Sequence, residues 1–197
     1  MQEQTIDYEG IATLACVATS TCSTGATTTV TPIVVVSKNP VCYADTDTTG
    51  CRKSGWALNL TDPVNGAQGE RVVSSPIIRQ GYVLFTTLIP NVNPCESGGT
   101  SHFMEVGALS GGASGAAPFG VNGDSKVYSN DLVTVTIGGI SGTYVASGID
   151  LGIGIINMPA IIETPTVAYK YFKGSTGKNA TLLEPPLGGH RSWRQLK

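Results

Sequence analysis

Charge is what this sequence has least of: Asp, Glu, Lys and Arg make up 13% of its 197 residues, and there are two histidines. Solvated helical faces need more charge than this, and no stretch shows a helical apolar period, so a helical architecture is not expected. The formal charge of −2 comes without any basic block, which argues against a nucleic-acid footprint. No apolar run reaches the roughly 20 residues that a membrane-spanning helix requires. The nearest, residues 149–162, is broken by glycines, an asparagine and a proline. The opening Met1-Gln2-Glu3-Gln4-Thr5 lacks the basic region and apolar core of a secretion signal, so export, if it occurs, is encoded elsewhere. Catalytic motifs are missing too. There is no Gly-x-Ser-x-Gly elbow, no His-Glu-x-x-His pair and no phosphate-binding glycine loop, and two histidines leave little for general acid-base work. His102 and His190 are expected to do no chemistry, and the chain reads as a non-enzyme.

What is present points to strands. Glycine supplies 25 residues, serine and threonine are abundant, and 41% of residues are hydrophobic, enough for one substantial core. Residues 69–112 contain a complete unit. The apolar run 72–78 breaks at Pro76, Gln80-Gly81 makes a two-residue turn, and Tyr82-Val83-Leu84-Phe85 resumes as a strand suited to burial on both faces. A long exposed loop follows, with two prolines, two asparagines and two glycines between 90 and 99. His102, Met104, Val106 and Ala108 then alternate with Phe103, Glu105 and Gly107 as a third strand, closed by Ser110-Gly111-Gly112. About forty residues of short strands is the period of a propeller blade. A second copy exists, because Pro76-Ile77-Ile78 followed by Val83 and Phe85 returns as Pro159-Ala160-Ile161-Ile162 followed by Val167 and Tyr169.

The rest of the chain fits the same reading. Residues 30–36 form a strand with Pro32 inside; Trp56, Leu58 and Leu60 alternate toward one face; residues 132–137 and 143–146 form a hairpin around Gly138-Gly139. Residues 167–172, 181–183 and 192–196 complete the strands, the last pairing elsewhere to close a sheet. Residues 119–125 read as a polar turn. Residues 1–29 show no clear element and are set apart as a poorly predicted N-terminal segment from a β-propeller portion over 30–197. Four to five units of about 40 residues fall short of many closed rings. Open strand edges would then favour self-association or a partner chain.

Five cysteines in a low-charge chain suggest an oxidising compartment. Short separations suggest Cys16 with Cys22 and Cys42 with Cys51, leaving Cys95, although spacing does not fix connectivity and free thiols are the alternative. Neither histidine sits at zinc-ligand spacing from a cysteine pair. Asp45-Thr46-Asp47-Thr48-Thr49-Gly50 opens like an EF-hand loop, but Trp56 stands where the bidentate Glu belongs, so a solvated loop is the plainer reading. Trp56 and Trp193 sit at strand starts, where aromatics are normally buried. The loop residues Asn91, Asn93, Cys95, Glu96 and Thr100 are the binding candidates, because loops at the end of a rigid scaffold carry recognition.

Gly69-Glu70-Arg71-Val72-Val73, the run 76–90, Cys95 with Gly98-Gly99-Thr100-Ser101, and Met104-Glu105-Val106-Gly107 resemble the C-terminal propeller domain of the PilY family of type IV pilus biogenesis and tip-adhesin proteins. Segments 36–41 and 55–60 upstream, and 119–124, 154–162 and Arg191-Ser192-Trp193-Arg194-Gln195-Leu196 downstream, extend the likeness from about residue 30 to the end. The resemblance implies an all-β fold, a β-propeller of quinoprotein-like blades forming the C-terminal part of a ring. It implies a non-catalytic role in pilus assembly, retraction control and surface attachment, at the pilus tip or outer cell surface. Minor pilins or the rest of the tip-adhesin chain are the implied partners, with a host or abiotic surface as a further one. On this reading the chain is the C-terminal portion of a longer exported protein, and Met1 is an internal or artificial start. The family is associated with a calcium loop of alternating aspartates that is not among these residues. Asn122-Gly123-Asp124 resembles a family segment richer in aspartate, so calcium would rest on Asp45, Asp47, Asn122 and Asp124. Two alternatives stand beside the adhesin reading: a quinoprotein-like dehydrogenase fragment, and a standalone self-associating structural subunit.

Overall fold

The computed structural model describes residues 1–14, 29–43, 52–93, 98–121, 127 and 131–186, and every regular element among them is a strand. In chain order these are β1 (Gln2–Leu14), β2 (Thr29–Val36), β3 (Trp56–Asn59), β4 (Arg71–Val72), β5 (Ile77–Arg79), β6 (Tyr82–Pro90) and β7 (Gly99–Thr100). There follow β8 (His102–Gly107), β9 (Leu132–Ile137), β10 (Ile140–Val145), β11 (Gly148–Asp150), β12 (Ala160–Glu163), β13 (Ala168–Lys173) and β14 (Asn179–Glu184). Among the described residues no helix is long and apolar enough to cross a membrane.

The sequence repeat is a structural repeat. Each proline precedes the first strand of an antiparallel three-strand meander, β5-β6-β8 in one case and β12-β13-β14 in the other. Gln80 and Gly81, both at positive φ (52° and 83°), turn β5 into β6 so that Ile77 faces Leu84 and Arg79 faces Tyr82. Positive φ at both central residues matches the strands' right-handed twist. Gly138-Gly139, with φ of 58° and 83°, does the same between β9 and β10. In the second meander Thr164 closes the turn through its hydroxyl, which donates to the Val167 carbonyl at 2.7 Å and accepts from the Val167 amide at 3.1 Å.

The two meanders differ in what lies beyond them. β12, β13 and β14 form a separate sheet, whereas β8 continues through β11, β2, β1 and β9 to β10 in one eleven-stranded sheet. The centre of that sheet is buried on both sides, which is why β2 and β8 read as near-continuous apolar runs. Along β2, Ile33 and Val35 join a core with Leu84, Phe103, Phe119, Phe172 and Leu182, while Val34 and Val36 join a second core with Ile6, Phe85, Met104 and Val106. Trp56, Leu58 and Leu60 pack together against the second core, as their alternation predicts. Trp56 donates its indole N–H to the Ala108 carbonyl at 2.9 Å. Pro32, which has no amide to give the ladder, sits where the β1–β2 register slips between Gly10 and Ala12.

Three features depart from expectation. β1, within the segment assigned no element, is the longest strand described, and its backbone pairs with β3, β2 and β9 in turn. Phe119, expected in a polar turn, is fully buried with its ring centroid 6.2 Å from that of Phe103. β8 does not alternate between core and solvent, since residues 102–106 are all buried.

Candidate functional site

Of the residues singled out above, Asn91, Asn93 and Thr100 fall within the described structure and are exposed. Asn93 donates its amide to the Asn91 carboxamide oxygen at 3.3 Å, and the loop tip between them carries Val92, 97% exposed. Thr100 lies in β7, paired with Ile89 of β6, so the loop is shorter than its composition suggests. Cys42 is disulfide-bonded. Cys16, Cys22, Cys51, Cys95, Glu96, Asp45, Asp47, Asn122 and Asp124 lie outside the described residues, as do His190 and Trp193.

His102, expected to do no chemistry, is buried between two carboxylates. It opens β8, where the Thr87 hydroxyl accepts its amide at 3.1 Å and so fixes the backbone. Glu70 comes from the residue just before β4, and Glu9 from the middle of β1. The imidazole Nδ1 lies 3.0 Å from Glu70 Oε1 and its Nε2 lies 3.5 Å from Glu9 Oε1, with side-chain exposures of 5% for His102, 3% for Glu70 and 13% for Glu9. Glu9 Oε2 is buried and accepts no hydrogen bond. Burial pushes the Glu9 carboxyl up to about 7 against the pull of His102, and the charges of Asp62, Glu70 and Asp150 push the same way. Burial alone would lower the imidazole, but the Glu70 hydrogen bond and charge, with Glu9 and Asp150, hold it above its ordinary value. Asp62 beside them is committed to its own turn, accepting from the Val64 amide at 2.7 Å, the Asn65 side chain at 2.6 Å and Gln68 at 2.9 Å.

A second buried polar cluster joins the two sheets. Lys170 of β13, with no exposed side-chain surface, pairs with Glu105 of β8 and lies 3.4 Å from Glu184 of β14. Its ammonium also sits 5.1 Å from the centre of the Phe103 ring. Arg79 of β5 pairs with Glu163 of β12 and, at 3.1 Å, with Glu184. Burial pushes Glu105 up to about 7, against the opposing pull of Lys170.

Glu9, Glu70 and His102 share no local motif, and Glu9 and Lys170 carried no sequence signal. Glu70 and His102 do lie within or beside the segments that carry the family resemblance.

No family profile matches the chain. A type IV pilus biogenesis factor PilY1 homolog of Xylella fastidiosa is 32% identical over 108 residues, 53% of this chain and 7% of that protein. PilY1 of Pseudomonas aeruginosa PAO1 is 28% identical over 145 residues, 71% of this chain and 11% of that protein. The crystal structure of the Pseudomonas aeruginosa PilY1 C-terminal domain superimposes with a TM-score of 0.64 at 20% identity, covering 96% of this chain and 32% of that one. The chain is similar to the C-terminal part of PilY1 proteins. It has the all-β, propeller-like fold of the family's C-terminal domain, and spans about a tenth of the length of the curated relatives it matches.

Proposed function

We propose that this domain serves type IV pilus biogenesis as a binding component and not as a catalyst, acting at the cell surface with other pilus proteins. The observation that carries the reading is the likeness of nearly the whole chain to the PilY1 C-terminal domain, together with relatives named as pilus biogenesis factors. The architecture suits a rigid recognition module. Two sheets pinned by buried ion pairs carry the turn at 91–93, and its exposed Val92 and flanking asparagines offer a contact surface to a minor pilin or an attachment surface. The test is to delete this domain from the chromosomal copy in its source organism and count surface pili after shearing, with purified minor pilins offered to the isolated domain in parallel. Loss of surface pili and pilin capture by the domain are expected. Normal piliation with no capture would overturn the proposal.

A further inference from the structure

We propose that Glu9, Glu70 and His102 form a binding site for a divalent first-row transition ion of zinc's class, with His102 Nε2 and the Glu9 carboxylate as ligands and Glu70 as the group that orients the imidazole. The three residues offer donor atoms that all lie within 4.8 Å of one another. They come from β1, the approach to β4, and β8, so the fold assembles them without any local spacing.

The two contacts of the imidazole differ in kind. Nδ1 at 3.0 Å from Glu70 has the spacing of a hydrogen bond. A proton held there leaves the Nε2 lone pair directed toward Glu9. Nε2 at 3.5 Å from Glu9 Oε1 has the spacing of two donors on one tetrahedral ion, since bonds of roughly 2.1 Å place such donors roughly 3.4 Å apart. A ligating histidine that gives its other N–H to a carboxylate is the usual way a protein fixes the ring at a metal. Glu9 Oε2, buried without a hydrogen-bond partner, supplies the independent sign, because an orphaned buried oxygen calls for an ion or water. The charge fits as well: Asp62 and Asp150 add to the negative field already made by Glu9 and Glu70 around a single imidazole. An imidazole in the donor set favours zinc, cobalt or nickel over calcium, which takes oxygen ligands.

The test is calorimetric titration of the chelator-stripped domain with zinc chloride, with thermal denaturation and the visible spectrum of the cobalt-loaded protein read on the same preparation. One zinc per chain is expected, with a rise in melting temperature that EDTA reverses and a cobalt spectrum free of thiolate charge-transfer bands. Glu9→Gln should abolish binding while keeping the β-sheet circular dichroism. Glu70→Gln should weaken binding by roughly 10- to 100-fold. Glu3→Gln, an exposed acid on the same strand, should leave it unchanged. Absence of zinc binding, binding that survives Glu9→Gln, or binding of calcium with zinc excluded would each overturn the proposal.

Discussion

The two buried polar clusters contain similar residues and are balanced differently. Between the sheets, Lys170 and Arg79 meet Glu105, Glu163 and Glu184, so every carboxylate has a cation beside it. Around His102, a single imidazole faces two carboxylates with two further acids close by. A balanced buried cluster holds elements together, and it costs a great deal to break because the partner left behind keeps its charge. An unbalanced one stores a demand for positive charge.

Removing a cation from the balanced cluster tests this contrast most sharply. Lys170→Met should cost about 3 to 5 kcal/mol in urea unfolding, because Glu105 and Glu184 would lose their shared partner in the interior. A loss below about 1 kcal/mol would mean that the two sheets are held by apolar packing alone. The next effect is one of pH. Burial raises Glu105 from 4.5 to about 7, so the folded state holds that proton more tightly than the unfolded chain does. Its stabilising contribution is complete below about pH 4.5 and is lost as pH rises through about 7, a swing of about 3 kcal/mol. Denaturation midpoints between pH 5 and 8 should therefore fall toward the alkaline end, and fall less steeply in Glu105→Gln, where the Glu9 and His102 contributions remain; midpoints that rise over this range would contradict the assignment. The smallest effect is expected at the unbalanced cluster. Glu9→Gln in metal-free protein should change stability by less than about 1 kcal/mol, since it removes an unpaired buried charge along with one contact to His102. A loss as large as that of Lys170→Met would make Glu9 a structural partner of the histidine and erase the contrast.

Local chemistry made much of the fold legible. Gln80-Gly81 and Gly138-Gly139 specify hairpins whatever surrounds them, and the Pro-led repeat found both meanders. β1 was hidden because an inward position carries Gln4, fully buried. Its carboxamide accepts from Ser37 at 2.6 Å and the Asn39 amide at 3.0 Å, and donates to the carbonyls of Asn39 at 2.8 Å and Ser110 at 2.9 Å. Those partners come from distant parts of the chain, so the glutamine looks like a surface residue until the fold is known. The His102 cluster was hidden for the same reason. Each of its members belongs to a different segment, and a histidine at the head of an apolar strand has no local feature that marks it as a ligand.

β1 also sets an order of events in time. Its first residues pair with β3, its middle with β2 and its last two with β9, which begins at Leu132. As the chain emerges from the ribosome, β1 cannot complete its ladder until residues 133 and 134 of β9 have followed it. Pairings this distant in sequence are slow to form, and unpaired edges are prone to wrong partners while they wait. β1, made before every strand it pairs with, is thus among the last parts of the sheet to be closed.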